Sequence, residues 1–114
     1  MATGRLGSTS LSSTTNATVY TVPSTTYSVF NVAFCNTQTS SVTIRLAIAS
    51  NGSSVGASEW IEYDVTVPPK GVFERTGLVA DAGKAIVAWA SASTTGSIGS
   101  NVTVNVYGIE TSTS

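Results

Sequence analysis

The sequence predicts an all-β fold: an antiparallel β-sandwich of about seven strands, with a small β-barrel as the alternative. Three observations support this prediction. The chain contains 18 Thr and 18 Ser, and Val is its commonest large apolar residue; the β-branched Thr and Val suit a pleated sheet. Short segments of alternating polarity recur roughly every eight to twelve residues, separated by Gly, Pro, Asn and Ser. With 114 residues, 41% hydrophobic and 10% charged, the chain has enough apolar material for one core.

The N-terminal segment is expected to lie outside the sandwich. Residues 1–15 offer Leu6 and Leu11 as sizeable apolar side chains and show no sustained period of two or of 3.6. We therefore predict an extended N-terminal arm over residues 1–15, a sandwich domain over 16–110 and a polar C-terminal tail over 111–114. Because the arm is rich in Gly, Ser and Thr, we expect it to become ordered only on a partner.

The first half of the domain contains three predicted strands. The first covers residues 17–22 and ends at Pro23, because proline lacks the N–H group that a continuing strand would need. The second covers residues 27–35. The third, residues 42–49, has the clearest alternation of apolar and polar side chains, so one of its faces must be core. Residues 51–58 are predicted to form a loop.

The second half contains four more predicted strands. Residues 60–67 alternate again, residues 72–76 form a short strand, and residues 102–106 form the last one. Residues 85–90 are apolar on both faces, so we expect this strand to be covered by the partner sheet and by something else, such as a neighbouring subunit. The predicted core consists of Phe30, Val32, Phe34, Val42, Ile44, Leu46, Ile48, Ile61, Tyr63, Val65, Val102, Val104 and Val106.

The sequence offers little material for catalysis or metal binding. It has no His and a single Cys, which excludes Ser-His-Asp and Cys-His catalysis and the common zinc sites. We interpret Cys35 as a small buried hydrophobic residue. Glu59, Glu62 and Asp64 form a local acidic cluster, and Glu62 and Asp64 would share a strand face as an acid/base pair or a Ca²⁺ site. The polar face of a half-buried strand explains the same pattern, so no catalytic, cofactor or metal site is predicted.

Charge and hydropathy argue against two classes of partner. The net charge is −1, and the five basic residues are scattered along the chain, so no patch is available to neutralise a run of phosphates. No stretch approaches the roughly 18 consecutive apolar residues that a membrane-spanning helix requires. We expect neither a nucleic acid nor a membrane partner.

Three long side chains on the strands are candidates for contacts. Trp60 and Trp89 have the chemistry to stack on sugars, although such residues more commonly lie in a core or a subunit interface. Arg75 is expected to point to the opposite face of its strand from the adjacent Glu74. We expect it to reach a carboxylate such as Glu62 or Asp64 on a neighbouring strand or subunit.

The arm adds two further candidates. Arg5 and Leu6 provide one charge and one apolar anchor between flanking glycines, which suits an extended peptide laid along a neighbouring protein. The candidate interface residues are Arg5, Leu6, Trp60, Arg75 and Trp89.

Six segments of the chain, taken together, resemble a known protein family. They are residues 1–7, 18–23, 42–48, 60–64, 71–77 and 106–110, which read MATGRLG, TVYTVP, VTIRLAI, WIEYD, GVFERTG and VYGIE. In their order they are similar to a family of small virion structural proteins of tailed bacteriophages, and the resemblance spans nearly the whole chain.

The resemblance implies a non-enzymatic protein displayed in many copies on a phage particle. The expected role is capsid decoration, or cement, with the major capsid protein or other virion proteins as partners and synthesis in the host cytoplasm before assembly. The alternatives are a tail, neck or baseplate component, and a carbohydrate-binding sandwich for host attachment. We also expect a homo-oligomer, with a trimer favoured, in which the strand over residues 85–90 and Trp89 contribute to a cyclic interface.

Overall fold

The computed structural model describes residues 3–11, 16–37, 41–51, 55–91 and 102–112. These ranges contain no helix, and therefore none long and apolar enough to span a membrane. They form eight strands: β1 (Thr3–Leu11), β2 (Ala17–Thr21), β3 (Thr26–Asn36), β4 (Val42–Ala49), β5 (Trp60–Val67), β6 (Val72–Ala80), β7 (Ala85–Ala90) and β8 (Val102–Ser112).

The strands form two four-stranded sheets that pack face to face. The order is β1-β8-β3-β6 in the first sheet and β2-β7-β4-β5 in the second, and every pairing is antiparallel. The predicted all-β sandwich is confirmed, with two separate sheets rather than the alternative barrel. Strand β1 pairs with β8, β2 with β7, β3 with β6 and β4 with β5, as if one long hairpin had been folded over. This is the jelly-roll topology.

The core lies between the sheets and follows the alternation of β3, β4 and β8. Nine of the predicted core residues are buried: Phe30, Val32, Phe34, Val42, Ile44, Leu46, Val102, Val104 and Val106. Ile48, Ile61 and Val65 are partly buried and pack against this cluster. Tyr63 was also predicted to be core, and this is wrong because its side chain is 56% exposed.

The prediction that the N-terminal segment stays outside the sandwich is wrong for residues 3–11. They form β1, which pairs with β8 along its length and buries Leu11 completely. The alternation is hidden because Leu6 is an extra residue in a β-bulge, so the inward-facing positions change parity there. Gly7 lies so close to β2 that a Cβ atom would stand 2.4 Å from the Val19 carbonyl oxygen, so a side chain at this position would clash.

Both the predicted arm and the predicted tail lie partly outside the described residues. Residues 1–2 and 12–15 of the predicted arm lie outside the described residues, as do residues 113–114 of the predicted tail. Thr111 and Ser112 extend β8 and pair with β3, so the last strand is longer than predicted. The sandwich therefore includes most of the segment that was expected to be free at the N-terminus.

Two bulges in β5 change which of its side chains face the core. Ile44 of β4 pairs with Val65 of β5, and Leu46 pairs with Glu62, so two steps along β4 correspond to three steps along β5. Arg45 therefore lies opposite both Tyr63 and Asp64. Asp64 adopts φ +57°, a left-handed conformation that Asp tolerates better than most residues. The bulge sends Tyr63 to the outer face of the second sheet, which explains why simple alternation misplaced it.

Candidate interaction surfaces

The outer face of the second sheet carries an aromatic cluster, which we define as Arg45, Trp60, Tyr63 and Trp89. The guanidinium carbon of Arg45 lies 4.1 Å from the ring centroid of Tyr63 and 3.9 Å from that of Trp89. The Trp60 and Tyr63 rings meet edge to face, with centroids 5.5 Å apart. Arg45 Nε donates a 2.7 Å hydrogen bond to Asp64, which raises the pKa of the guanidinium above its usual value. The cluster is held together by its own contacts.

Strand β7 is buried on both faces, as predicted, but its outer face is covered by this chain. Ala85 and Val87 form a second apolar cluster with two alanines of β4, and Val55 and Trp60 pack over it. Trp89 is half-buried beside Arg45. The apolar surplus of β7 therefore does not require a neighbouring subunit, and the reason for placing a cyclic interface on this strand no longer holds.

The loop before β5 is fastened by a single carboxylate. Glu59 accepts hydrogen bonds from the backbone N–H groups of Gly56 (2.7 Å) and Ser50 (2.9 Å) and from the Ser50 hydroxyl (2.7 Å). These bonds, led by that of Gly56, lower the pKa of the Glu59 carboxyl. The loop holds Val55 and the start of β5 in place over the second apolar cluster.

Arg75 forms the ion pair expected from the sequence, with Glu62 as its partner. Arg75 is registered with Val32, and Glu62 with Leu46, so both charged side chains point toward the space between the sheets from strands at their edges. Inward-pointing charges of this kind discourage edge strands from pairing with other chains. The pair joins the two sheets within one molecule, and nothing in it requires a subunit contact.

The acidic cluster of β5 is divided between different partners. Glu62 pairs with Arg75, Asp64 pairs with Arg45, and Glu59 binds the loop. Within the described ranges, no group of three or more His, Cys, Asp or Glu side chains is placed to hold a metal ion. The prediction that Glu62 and Asp64 share a strand face is wrong. The alternative of an acid/base pair or a Ca²⁺ site rested on that shared face.

The five candidate residues do not converge on one site. Arg5 is exposed on the outer face of the first sheet, where its Nη1 donates to Asn105 Oδ1 at 3.3 Å. Leu6 packs against the main core, so it anchors β1 to its own domain. Arg75 lies at the edge between the sheets, and Trp60 and Trp89 belong to the aromatic cluster on the opposite outer face.

Sequence reasoning missed an apolar row on the outer face of the first sheet. Val29 pairs with Val79 on one side and with Ile109 on the other. These three side chains are 39%, 59% and 47% exposed, respectively. The signal was present in β3, where Val29 is apolar although it alternates out of phase with the core residues Phe30 and Val32.

No protein-family model, curated protein or solved structure matches the chain.

Proposed function

We propose that the protein is a non-enzymatic structural protein of a bacteriophage virion, and specifically a capsid decoration (cement) protein. The observation that carries the proposal is the eight-stranded jelly roll, an architecture found in viral capsid domains. The same fold also serves lectins and cupins, so topology alone does not choose among these functions. The six segments that resemble virion structural proteins favour the first.

The charge of the chain suits a protein packed in many copies. A net charge of −1 and a surface rich in Ser and Thr hydroxyl groups limit electrostatic repulsion between neighbouring copies. The described ion pairs satisfy Arg45, Arg75 and Lys84 within the molecule. A particle surface can therefore accommodate a dense array of this protein with little electrostatic cost.

Binding to phage particles that lack the protein tests the proposal. Purified protein should co-sediment saturably with such capsids, at many copies per particle, and should raise the temperature at which they release DNA. Isolated tails from the same phage serve as the control. Binding to tails alone would replace the capsid proposal with a tail, neck or baseplate role, and binding to neither would overturn both.

The carbohydrate-binding alternative has one supporting observation. Tyr63 is exposed, and with Ala57 and Trp60 it lines an open pocket on the outer face of the second sheet. A ring exposed in this way can stack on a sugar. Glycan-array binding of the parent protein and of the Tyr63→Ala variant tests this alternative. A cement protein should bind no glycan specifically, whereas glycan binding that is lost in the variant would support host attachment.

A further inference from the structure

We propose that the outer face of the first sheet binds a second copy of this chain, forming a two-fold symmetric dimer. This face is four strands wide, and two of the rows of side chains that cross it carry the argument. The aliphatic row consists of Ile109, Val29 and Val79, with Thr3 at the β1 end. The polar row consists of Ser8, Asn105, Ala33 and Glu74. The proposal does not depend on the virion function.

The aliphatic row selects the direction of the symmetry axis. An axis that lies in the interface, parallel to the strands and between β8 and β3, places each row on the same row of the other copy. Ile109 then lies over Val29 of the partner subunit, and Val79 over the methyl-bearing Thr3 of the partner subunit. A two-fold axis perpendicular to the strands and midway between the two rows would instead lay Ile109 over Asn105 and Val79 over Glu74 of the partner subunit, where burial would desolvate polar groups.

The same axis brings opposite charges together. Arg5 and Glu74 are the charged side chains that the described residues place on this face, and they lie on the two opposite edge strands, β1 and β6. The axis superimposes β6 of one copy on β1 of the other, so Glu74 lies over the Ser8 position of the partner. A polar depression at that position is lined by Arg5, Ser8 and Asn105 among others. Arg5 already leans toward this row through its bond to Asn105.

Glu74 is available for such a contact. It is exposed, and within the described part of the chain it has no ion-pair partner, because Arg45, Arg75 and Lys84 pair with other carboxylates. In an isologous interface each charge is used twice, so two equivalent Arg5–Glu74 pairs form at the two edges. The charge pattern is complementary to itself, which favours a second copy over an unrelated partner.

The size of the face places the dimer among the smaller specific interfaces. Strands of 9 to 11 residues give this face four strands of similar length. Such a sheet covers roughly 600 Å², somewhat less than the about 800 Å² per partner of a standard stable interface. We therefore expect a dimer that dissociates at micromolar concentration. A two-fold dimer is also a cyclic assembly, but it differs from the trimer favoured from the sequence, which stays a prediction.

Sedimentation equilibrium of the purified protein tests the dimer. Val29→Lys should abolish it, because two lysines per dimer would be buried in the aliphatic row. Thr66→Lys is the matched control, since Thr66 is exposed on β5 of the other sheet. The control variant should dimerise like the parent. A parent protein that is monomeric at all concentrations, a trimer, or a dimer unaffected by Val29→Lys would overturn the proposal.

Charge reversal tests the predicted register. Arg5→Glu and Glu74→Arg should each weaken dimerisation by about tenfold or more, because each places like charges against one another. The double variant Arg5→Glu/Glu74→Arg restores opposite charges and should recover most of the parent affinity. Circular dichroism verifies that all variants are folded. Failure of the double variant to recover affinity, with its fold intact, would exclude the proposed pairing.

Discussion

Tyr20 connects the two sheets through its hydroxyl group. It lies on β2, and its hydroxyl contacts Ser28 on β3 at 2.7 Å and donates to Glu110 on β8 at 2.5 Å. Burial of the ring, followed by the bond to Glu110, raises the pKa of Tyr20 to about 12. The phenol is therefore neutral and fully hydrogen-bonded at neutral pH, and it links the edge strand β2 to the centre of the first sheet.

The raised pKa of Tyr20 predicts a loss of stability at high pH. The unfolded chain releases this proton near pH 10 and the folded protein near pH 12, so the free energy of unfolding should fall as pH rises between these values, by about 2 kcal/mol. Urea denaturation at pH 8 to 12 measures this. In the Tyr20→Phe variant the free energy of unfolding should fall less with rising pH than in the parent. In the Tyr27→Phe variant, which changes an exposed tyrosine, it should fall as in the parent. Equal declines in both variants would contradict the assignment.

Leu46 tests the packing between the sheets at a single site. Its side chain is fully buried, and in the Leu46→Ala variant a cavity would remain because the rigid strands cannot collapse around it. The free energy of unfolding should fall by about 2–5 kcal/mol. Thermal denaturation measures the change, with Thr43→Ala, at a half-buried position on the other face of β4, as the matched control. A loss below 1 kcal/mol for Leu46→Ala would be too small for a close-packed core.

At the scale of the strands, regular alternation was predictable from the sequence and its interruptions were not. In β3, β4 and β8 the fully buried Phe, Leu, Ile and Val residues fall on every second position, so these core faces could be identified from the sequence. In β1 and β5 the bulges at Leu6 and Asp64 change the parity, and they depend on backbone conformations that the pattern of side chains does not encode. An ion pair of Arg75 with a carboxylate such as Glu62 or Asp64 was predicted, and Glu62 is the partner, whereas the Arg45 contacts of the aromatic cluster were missed.

The Arg75–Glu62 pair should contribute a small but measurable coupling. Arg75 is 40% exposed and Glu62 20% exposed, so solvent screens much of the attraction, and a coupling energy of about 0.5–1 kcal/mol is expected. A double-mutant cycle with Arg75→Ala and Glu62→Gln gives this value. Glu74→Gln, on the adjacent and outward-facing residue, is the control and should show no coupling to Glu62. Absence of coupling between Arg75 and Glu62 would contradict the contact between the sheets.

For the whole molecule, the position of β1 changes what an N-terminal deletion would show. Removal of residues 2–11 would expose the edge of β8 and leave the space of the buried Leu11 side chain empty. We expect the truncated protein to be destabilised by several kcal/mol and prone to aggregate, rather than to keep its fold as the removal of a free arm would allow. Retention of the parent melting temperature would show that β1 contributes little to the domain.

The proposed capsid role is tested most directly by electron cryo-microscopy of phage particles assembled in the presence of this protein. The account predicts jelly-roll density in many symmetry-related copies on the outer surface of the capsid, at junctions of the major capsid protein. Density confined to the tail, neck or baseplate, or absent from the particle, would contradict it.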